Sequence, residues 1–342
     1  MEGLQITAPG AISTTEKKEL FENSSSVKVK ITKTLLIQED FVTFCGDPRV
    51  NYPIIPGRVG IGKVIETSGD NAFGFERGMS VFVHPVTNCG KCFECAKGDF
   101  KHCANFNVAG KNIDGFLRDF VIAENDCVSL LPPSVSETEA LFIDHVAVSD
   151  RVVDAINLQK GEHVVIVGGD VLGIILAQLI IYYQGVPILV DNNYKNLELA
   201  KNAGVYHTLF ADNKIEKAVA ELTGARLAGK VVYMTGANLN TDIALKLASN
   251  NATVCLAGFG SPNIRINFNT ALLKQLNFNC VTNSFGRYDS AINILANKAI
   301  DTDVFMIKTI KSEQAIPVIC DLGKNISYNA CESMLVVEND KF

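Results

Sequence analysis

Val164-Val165-Ile166-Val167-Gly168-Gly169-Asp170-Val171-Leu172-Gly173 is a short apolar run that breaks at two glycines and resumes with a helical pattern. A continuous apolar run of this length suits a strand buried on both faces of a parallel sheet. Gly168 can make the tight turn that leaves the strand, and Gly173 lets the following helix pack closely on it. Eighteen residues beyond Gly173, Asp191 closes the next apolar run, Pro187 to Val190. A carboxylate there can accept both ribose hydroxyls of an adenosine and repels a 2′-phosphate. Strand, glycine turn, helix and downstream acid, in this order, predict a Rossmann dinucleotide-binding domain that takes NAD, with NADH favoured over NADPH. The candidate cofactor-binding residues are Gly168, Gly169, Val171, Leu172, Gly173 and Asp191, with Thr235 just past the run Lys230 to Met234. One residue opposes this reading. Asp170 stands where the fingerprint has its middle glycine. A carboxylate beside two phosphates costs on the order of 1–4 kcal/mol at 4 Å, unless the side chain points away.

The chain on either side of this turn has two textures. From His163 onward, apolar runs alternate with helical segments, including Leu172 to Tyr183, Tyr194 to Asn202, Lys214 to Leu222 and Thr241 to Ser249. The pattern predicts a parallel sheet covered on both faces. Asn277 to Ser284 ends that block, and a helix near Ser290 to Lys298 and a strand at Met334 to Val337 remain to be placed. Upstream of Ser136 the chain reads as a loop-rich β domain. Val27-Lys28-Val29-Lys30-Ile31 alternates with period two, and Met79 to His84, Phe116 to Val121 and Cys127 to Leu131 follow as short strands. Glu137 to Leu158 reads as helix, capped by Ser134 or Ser136.

A second dense cluster lies in the β-rich half: Cys89, Cys92, Cys95 and Cys103, with Gly90 and Gly98 beside them. Four thiolates at this spacing predict a closed tetrahedral zinc site with no coordination position left for a substrate. A pair of disulfides is the alternative. It fits poorly with a chain whose opening, Met1-Glu2-Gly3-Leu4, has no charged leader followed by an apolar core. The expectation is a cytoplasmic protein. Cys127, Cys255, Cys280, Cys320 and Cys331 read as small core residues.

Bulk properties set the outer limits. A chain of 342 residues exceeds one comfortable core, so two domains are expected. A net charge of -6 with dispersed signs excludes a nucleic-acid surface as the expectation. The longest apolar run is too short to cross a bilayer.

Together these segments resemble the medium-chain dehydrogenase/reductases, in the branch of the zinc alcohol and polyol dehydrogenases. Leu4 to Gly10 is similar to the first strand of that family. Phe44-Cys45-Gly46-Asp47 is similar to its Cys-Gly-Ser/Thr-Asp segment, and Pro53-Ile54-Ile55-Pro56-Gly57 leads into its Gly-His-Glu motif. Cys89 to Cys103 matches its structural zinc loop, and Glu139 to Val148 the segment before its Rossmann domain. The resemblance implies an α/β chain made of a GroES-like β-rich catalytic domain, residues 1–148 and 286–342, and a doubly wound Rossmann domain, residues 149–285. It also implies a homodimer or homotetramer, with the segment Asn277 to Ser284 pairing with its copy.

The departures from the family gather at the active site. The family holds a catalytic zinc with a Cys, a His and a later Cys, Asp or Glu. Cys45 stands for the first ligand and Asp144 for the later acid. The Gly-His-Glu motif reads Gly57-Arg58-Val59, and a guanidinium cannot ligate a metal. The relay hydroxyl is missing, and the interval from Cys45 to Arg58 is shorter than the family's. The prediction is that Arg58 faces Asp144, and Cys45 with it, in place of a catalytic zinc. The alternative is that Arg58 points to solvent and His145 or His84 completes the site. With Arg58 in the site, its charge would stabilise the alkoxide and Asp47 or His145 would move the proton. The function implied is hydride transfer between NAD(H) and a small alcohol, polyol or carbonyl compound. The alternative is a catalytically degenerate member acting as a binding or regulatory protein.

Overall fold

A computed structural model describes residues 2–17, 25–69, 73–259, 264–305, 307–324 and 334–339. The chain forms two units. It leaves the first between Asp144 and His145, inside the helix Ile143–Ala155, and returns to it at Ile307.

The second unit holds six parallel strands. Their spatial order is His207–Phe210, Val186–Asp191, His163–Val167, Ala228–Met234, Ala248–Ala257 and Asn277–Val281. The order reverses between His163–Val167 and Ala228–Met234, which are neighbours in the sheet but not in sequence. This is the doubly wound topology, and its crevice opens at the carboxyl ends of those two strands. Val164 to Val167 are fully buried, so the apolar run is continuous because neither face meets water. In the helix Val171–Tyr182, every residue from Val171 to Ile180 is buried. A Cβ on Gly173 would lie 2.1 Å from the Gly168 carbonyl oxygen. Only glycine therefore allows this helix to start so close to the strand. Gly168 itself has φ 112°, outside the range of ordinary side chains.

The first unit is built on a largely antiparallel sheet. Its strands run in the order Lys308–Lys311, Leu335–Glu338, Ser26–Leu36, Val59–Ser68, Ser80–Val83 and Val128–Leu130, with Phe120–Glu124 also pairing with Ser26–Leu36. The C-terminal strand joins here, with Leu335 opposite Leu36. Leu36, Phe41, Phe44, Ile55, Leu117 and Leu335 form the core under this sheet.

Three readings of the sequence change. The strand expected over Phe116 to Val121 begins at Phe120, because the amides of Phe116 and Leu117 are taken by the carbonyls of Gly57 and Pro56. The helix expected from Glu137 to Leu158 divides into Glu137–Ala140 and Ile143–Ala155. Cys280 is exposed on the edge strand rather than in a core, Cys255 is buried, and Cys331 lies outside the described residues. The helix Gln38–Gly46 was not expected at all, and it reshapes the site described next.

Candidate functional site

The cysteine lobe lies between the paired strands Val86–Thr87 and Asn107–Val108. Its four sulfurs all fall within 4.8 Å of one another. Cys92 and Cys95 are 3.4 Å apart, and the Cys89–Cys95 and Cys92–Cys103 pairs are each at 3.9 Å. A disulfide needs about 2.05 Å, and every described cysteine is free. A tetrahedron with metal–sulfur arms of about 2.3 Å has edges of about 3.8 Å, so the spacing fits one tetrahedral dication. Backbone N–H groups also serve the sulfurs. The Cys89 amide donates to Cys103 Sγ at 3.3 Å, and the amides of Cys95 and Ala104 draw the Cys92 thiol down to about 6. Burial pushes Cys95 up to about 12.

A second constellation, in the same unit, surrounds Arg58. Its Nε donates to Asp144 Oδ2 at 3.0 Å, and both side chains are buried, Arg58 at 6% exposure and Asp144 at 0%. The helix Gln38–Gly46 brings two more acids to this place. Asp40 Oδ2 accepts the Ile37 N–H at 2.9 Å and so caps the helix, while Oδ1 accepts the Gly57 N–H at 2.7 Å. That second bond ties the helix to the residue before Arg58. Burial raises the Asp40 carboxyl to about 6 although both amides oppose it. Glu39 is also raised by burial, with Arg58 and Lys111 pulling the other way. Lys111 follows Gly110, where a Cβ would lie 3.0 Å from Asp40 Oδ1 and 3.3 Å from the Gly57 nitrogen. The loop therefore passes directly over the site. Burial, then the charge of Arg49, lowers the Lys111 ammonium.

Cys45 and Asp47 do not join this group as the sequence had suggested. Cys45 is exposed and turns its Sγ to the Gly323 carbonyl at 3.0 Å. Asp47 is gripped by Arg49, with Nη2 at 2.6 Å from Oδ2 and Nε at 2.8 Å from Oδ1. The fork holds its carboxyl below the usual range, which makes it a poor proton donor. His84 pairs with Ser129 Oγ at 2.9 Å, and burial depresses its ring to about 3. His145 belongs to the second unit, where its buried ring stands edge-on to Phe259.

In the second unit, the glycine turn and the downstream acid meet. Gly169 N–H donates to Asp191 Oδ2 at 2.5 Å, and the Asn193 N–H to Asp191 Oδ1 at 2.7 Å. Asn196 Nδ2 reaches Asp191 Oδ2 at 3.3 Å, and the carboxylate is buried. Asp170 is the N-cap of the helix Val171–Tyr182, its Oδ1 accepting the Gly173 N–H at 2.7 Å. Val171 and Leu172 are buried at the start of that helix. Thr235 leaves the neighbouring strand with its amide on the Ala257 carbonyl at 2.7 Å.

Two family models match this chain. The alcohol dehydrogenase GroES-like domain matches residues 23–133, and the zinc-binding dehydrogenase domain matches residues 171–297. The chain belongs to the zinc alcohol and polyol dehydrogenase branch of the medium-chain dehydrogenase/reductases. A zinc-type alcohol dehydrogenase-like protein of Haemophilus influenzae is 28% identical over 86% of this chain and 89% of its own length. The sorbitol dehydrogenase of Halalkalibacterium halodurans is 26% identical over 78% of this chain and 79% of its own. Among solved structures, Escherichia coli galactitol-1-phosphate dehydrogenase superposes with a TM-score of 0.85 at 19% identity, covering 99% of this chain and 100% of that one. RspB from E. coli CFT073, solved with NADH, also gives 0.85 at 20% identity, covering 99% of both chains. At these identities the likeness shows the fold: a GroES-like domain and a Rossmann domain.

In this zinc dehydrogenase fold the geometry changes the register read from the sequence. Glu39 and Asp40, not Cys45 and Asp47, come to Gly57-Arg58. The short interval between Cys45 and Arg58 was the one sign in the sequence that Cys45 is out of place. Among the described residues, possible metal ligands gather only in the cysteine lobe and at Glu124, Asp126 and Cys127. Asp144 is in neither group.

Proposed function

We propose that this chain is an oxidoreductase that interconverts a small polar alcohol or polyol and its carbonyl compound, using a nicotinamide dinucleotide and no catalytic zinc. The observation that carries the reading is the buried Arg58–Asp144 pair at 3.0 Å, formed by the residue that replaces the family's zinc-binding histidine and by the acid aligned with its later ligand. The cysteine lobe holds one structural zinc in this reading.

The chemistry then falls to the side chains around Arg58. Its fixed positive charge, desolvated and prepositioned, stabilises oxygen charge that develops on the substrate. Glu39, whose carboxyl burial keeps raised, serves as the proton donor in place of the missing relay hydroxyl. A lone cation polarises oxygen more weakly than zinc, so turnover of alcohols is expected to be slow.

The glycine turn supports the cofactor. Gly168, with its φ of 112°, and Gly173, which has no room for a Cβ, form the backbone cradle that a dinucleotide uses. The dinucleotide, when bound, supplies or accepts the hydride. Asp191 at the strand end favours NADH over NADPH. RspB, a structural neighbour, was solved with NADH. The same reading includes a homodimer or homotetramer. The edge strand Asn277–Val281 is preceded by Phe268, Leu272 and Leu273, which are 74%, 77% and 83% exposed.

Metal analysis of the purified protein tests the zinc-free site. The expected result is one zinc per chain, lost on mutation of the cysteine lobe. A second zinc that survives loss of the lobe would overturn the reading.

A further inference from the structure

The second unit places a carboxylate of its own in the position that this reading reserves for the cofactor's pyrophosphate. Asp170 is the N-cap of a helix of 12 residues whose first turn carries no other acid. Its backbone, φ -70° and ψ 178°, has ordinary N-cap geometry, so the cap forms without strain. Oδ1 accepts the Gly173 N–H at 2.7 Å. Oδ2 faces Gly236, where a Cβ would lie only 3.1 Å away. The carboxylate therefore spans the two turns that leave the central strands His163–Val167 and Ala228–Met234. Meanwhile the Gly169 N–H is held by Asp191. Both amides of the glycine turn that the structure pairs with a side chain are thus satisfied by the chain's own acids.

We infer that Asp170 is a resident anion at the pyrophosphate position, so that NADH binds this chain only by displacing the Asp170 carboxylate from Gly173. The inference rests on the nicotinamide reading above. A phosphate drawn to the same positive helix end meets the Asp170 carboxylate there, and like charges repel. The charge that caps the helix is therefore the charge that opposes the ligand. The consequence is a cofactor affinity set by one side chain and weaker than the cradle's backbone would otherwise give.

Calorimetric titration of NADH into the full-length protein and its D170N, D170S and D170G variants tests this. Asn and Ser keep an oxygen for the Gly173 N–H and hence keep the helix capped, but remove the charge. Thermal unfolding of each variant confirms that the fold is retained. The expected result is NADH binding at least tenfold tighter in D170N and D170S than in the wild type, with D170G at least as tight. Equal affinity in all four proteins overturns the inference and leaves the nicotinamide reading standing. No NADH binding by any of the four overturns both.

Discussion

Arg58 and Asp144 show how one substitution reorganises a site. A buried guanidinium needs an anion, and a buried carboxylate needs a cation. Each is the other's compensation. Removing one partner alone should therefore be costly. Arg58→Met is expected to lower the unfolding free energy by about 3–5 kcal/mol, because it leaves Asp144 charged and buried. The double variant R58M/D144L should recover much of that loss, since no uncompensated charge remains. Urea denaturation of the two variants checks both statements, and an R58M loss below about 1 kcal/mol would show that the pair is not desolvated. His84 and Asp40 give a pH signature with opposite signs. His84 titrates at about 3 in the folded chain against an ordinary 6.5. Its contribution is fully present above pH 6.5 and is lost as pH falls toward 3, amounting to at most about 3 kcal/mol by pH 4. Asp40 is raised from 3.8 to about 6, so the folded chain holds a proton that the unfolded chain releases, and its contribution is lost as pH rises from about 4 to 6. The two partly cancel in the wild type. His84→Gln should remove only the first, making the variant gain stability relative to wild type on acidification from pH 7 to pH 4.5. A parallel pair of pH–stability curves would refute the buried neutral histidine.

At the scale of elements, the parts legible in the sequence are those whose local pattern and tertiary role agree. Val164 to Val167 and, Gln178 apart, Val171 to Ile180 are apolar because both runs are buried. The glycines between them are dictated by backbone geometry. The helix Gln38–Gly46 was illegible for the converse reason. Its N-cap is an isoleucine, and the capping bond comes from Asp40 inside the first turn. Its acids face a site rather than water, and its cysteine invited alignment with a family motif although its Sγ turns to the Gly323 carbonyl. Periodicity carries no record of the Asp40–Gly57 bond that fixes the register, since its partners are seventeen residues apart. The cysteine lobe is the opposite case, a site written in spacing alone. Little apolar burial holds it, as the exposure of Phe93 and Phe100 shows, at 68% and 45%, so the proposed ion among its four sulfurs would carry its shape. Chelating the metal, or the C92S/C103S change, should raise amide exchange across residues 86–108 by at least an order of magnitude while leaving the strand Val164 to Val167 protected. Exchange that rises equally in the Rossmann sheet would mean that the lobe is not an independent element.

For the molecule as a whole, the alternation of strands and helices gave the doubly wound sheet, and the C-terminal strand found its partner in Ser26–Leu36. What pattern could not supply was the association state, because an exposed apolar face and a covered one look alike in sequence. The Rossmann sheet ends on Asn277–Val281, a strand with one row of backbone groups unpaired among the described residues. Just before it, Leu272 and Leu273 are 77% and 83% exposed. Apolar groups beside an open sheet edge are the surface that a second copy can cover, in register, through main-chain bonds and side-chain burial together. Light scattering of the wild type should give at least twice the 37.1 kDa chain mass. The L272D/L273D variant should fall to a single chain without a matching fall in the melting temperature of the folded unit, since neither side chain contributes to a core. A wild type that runs as a monomer at micromolar concentration, or a variant that stays assembled, would remove this face from the account of the oligomer.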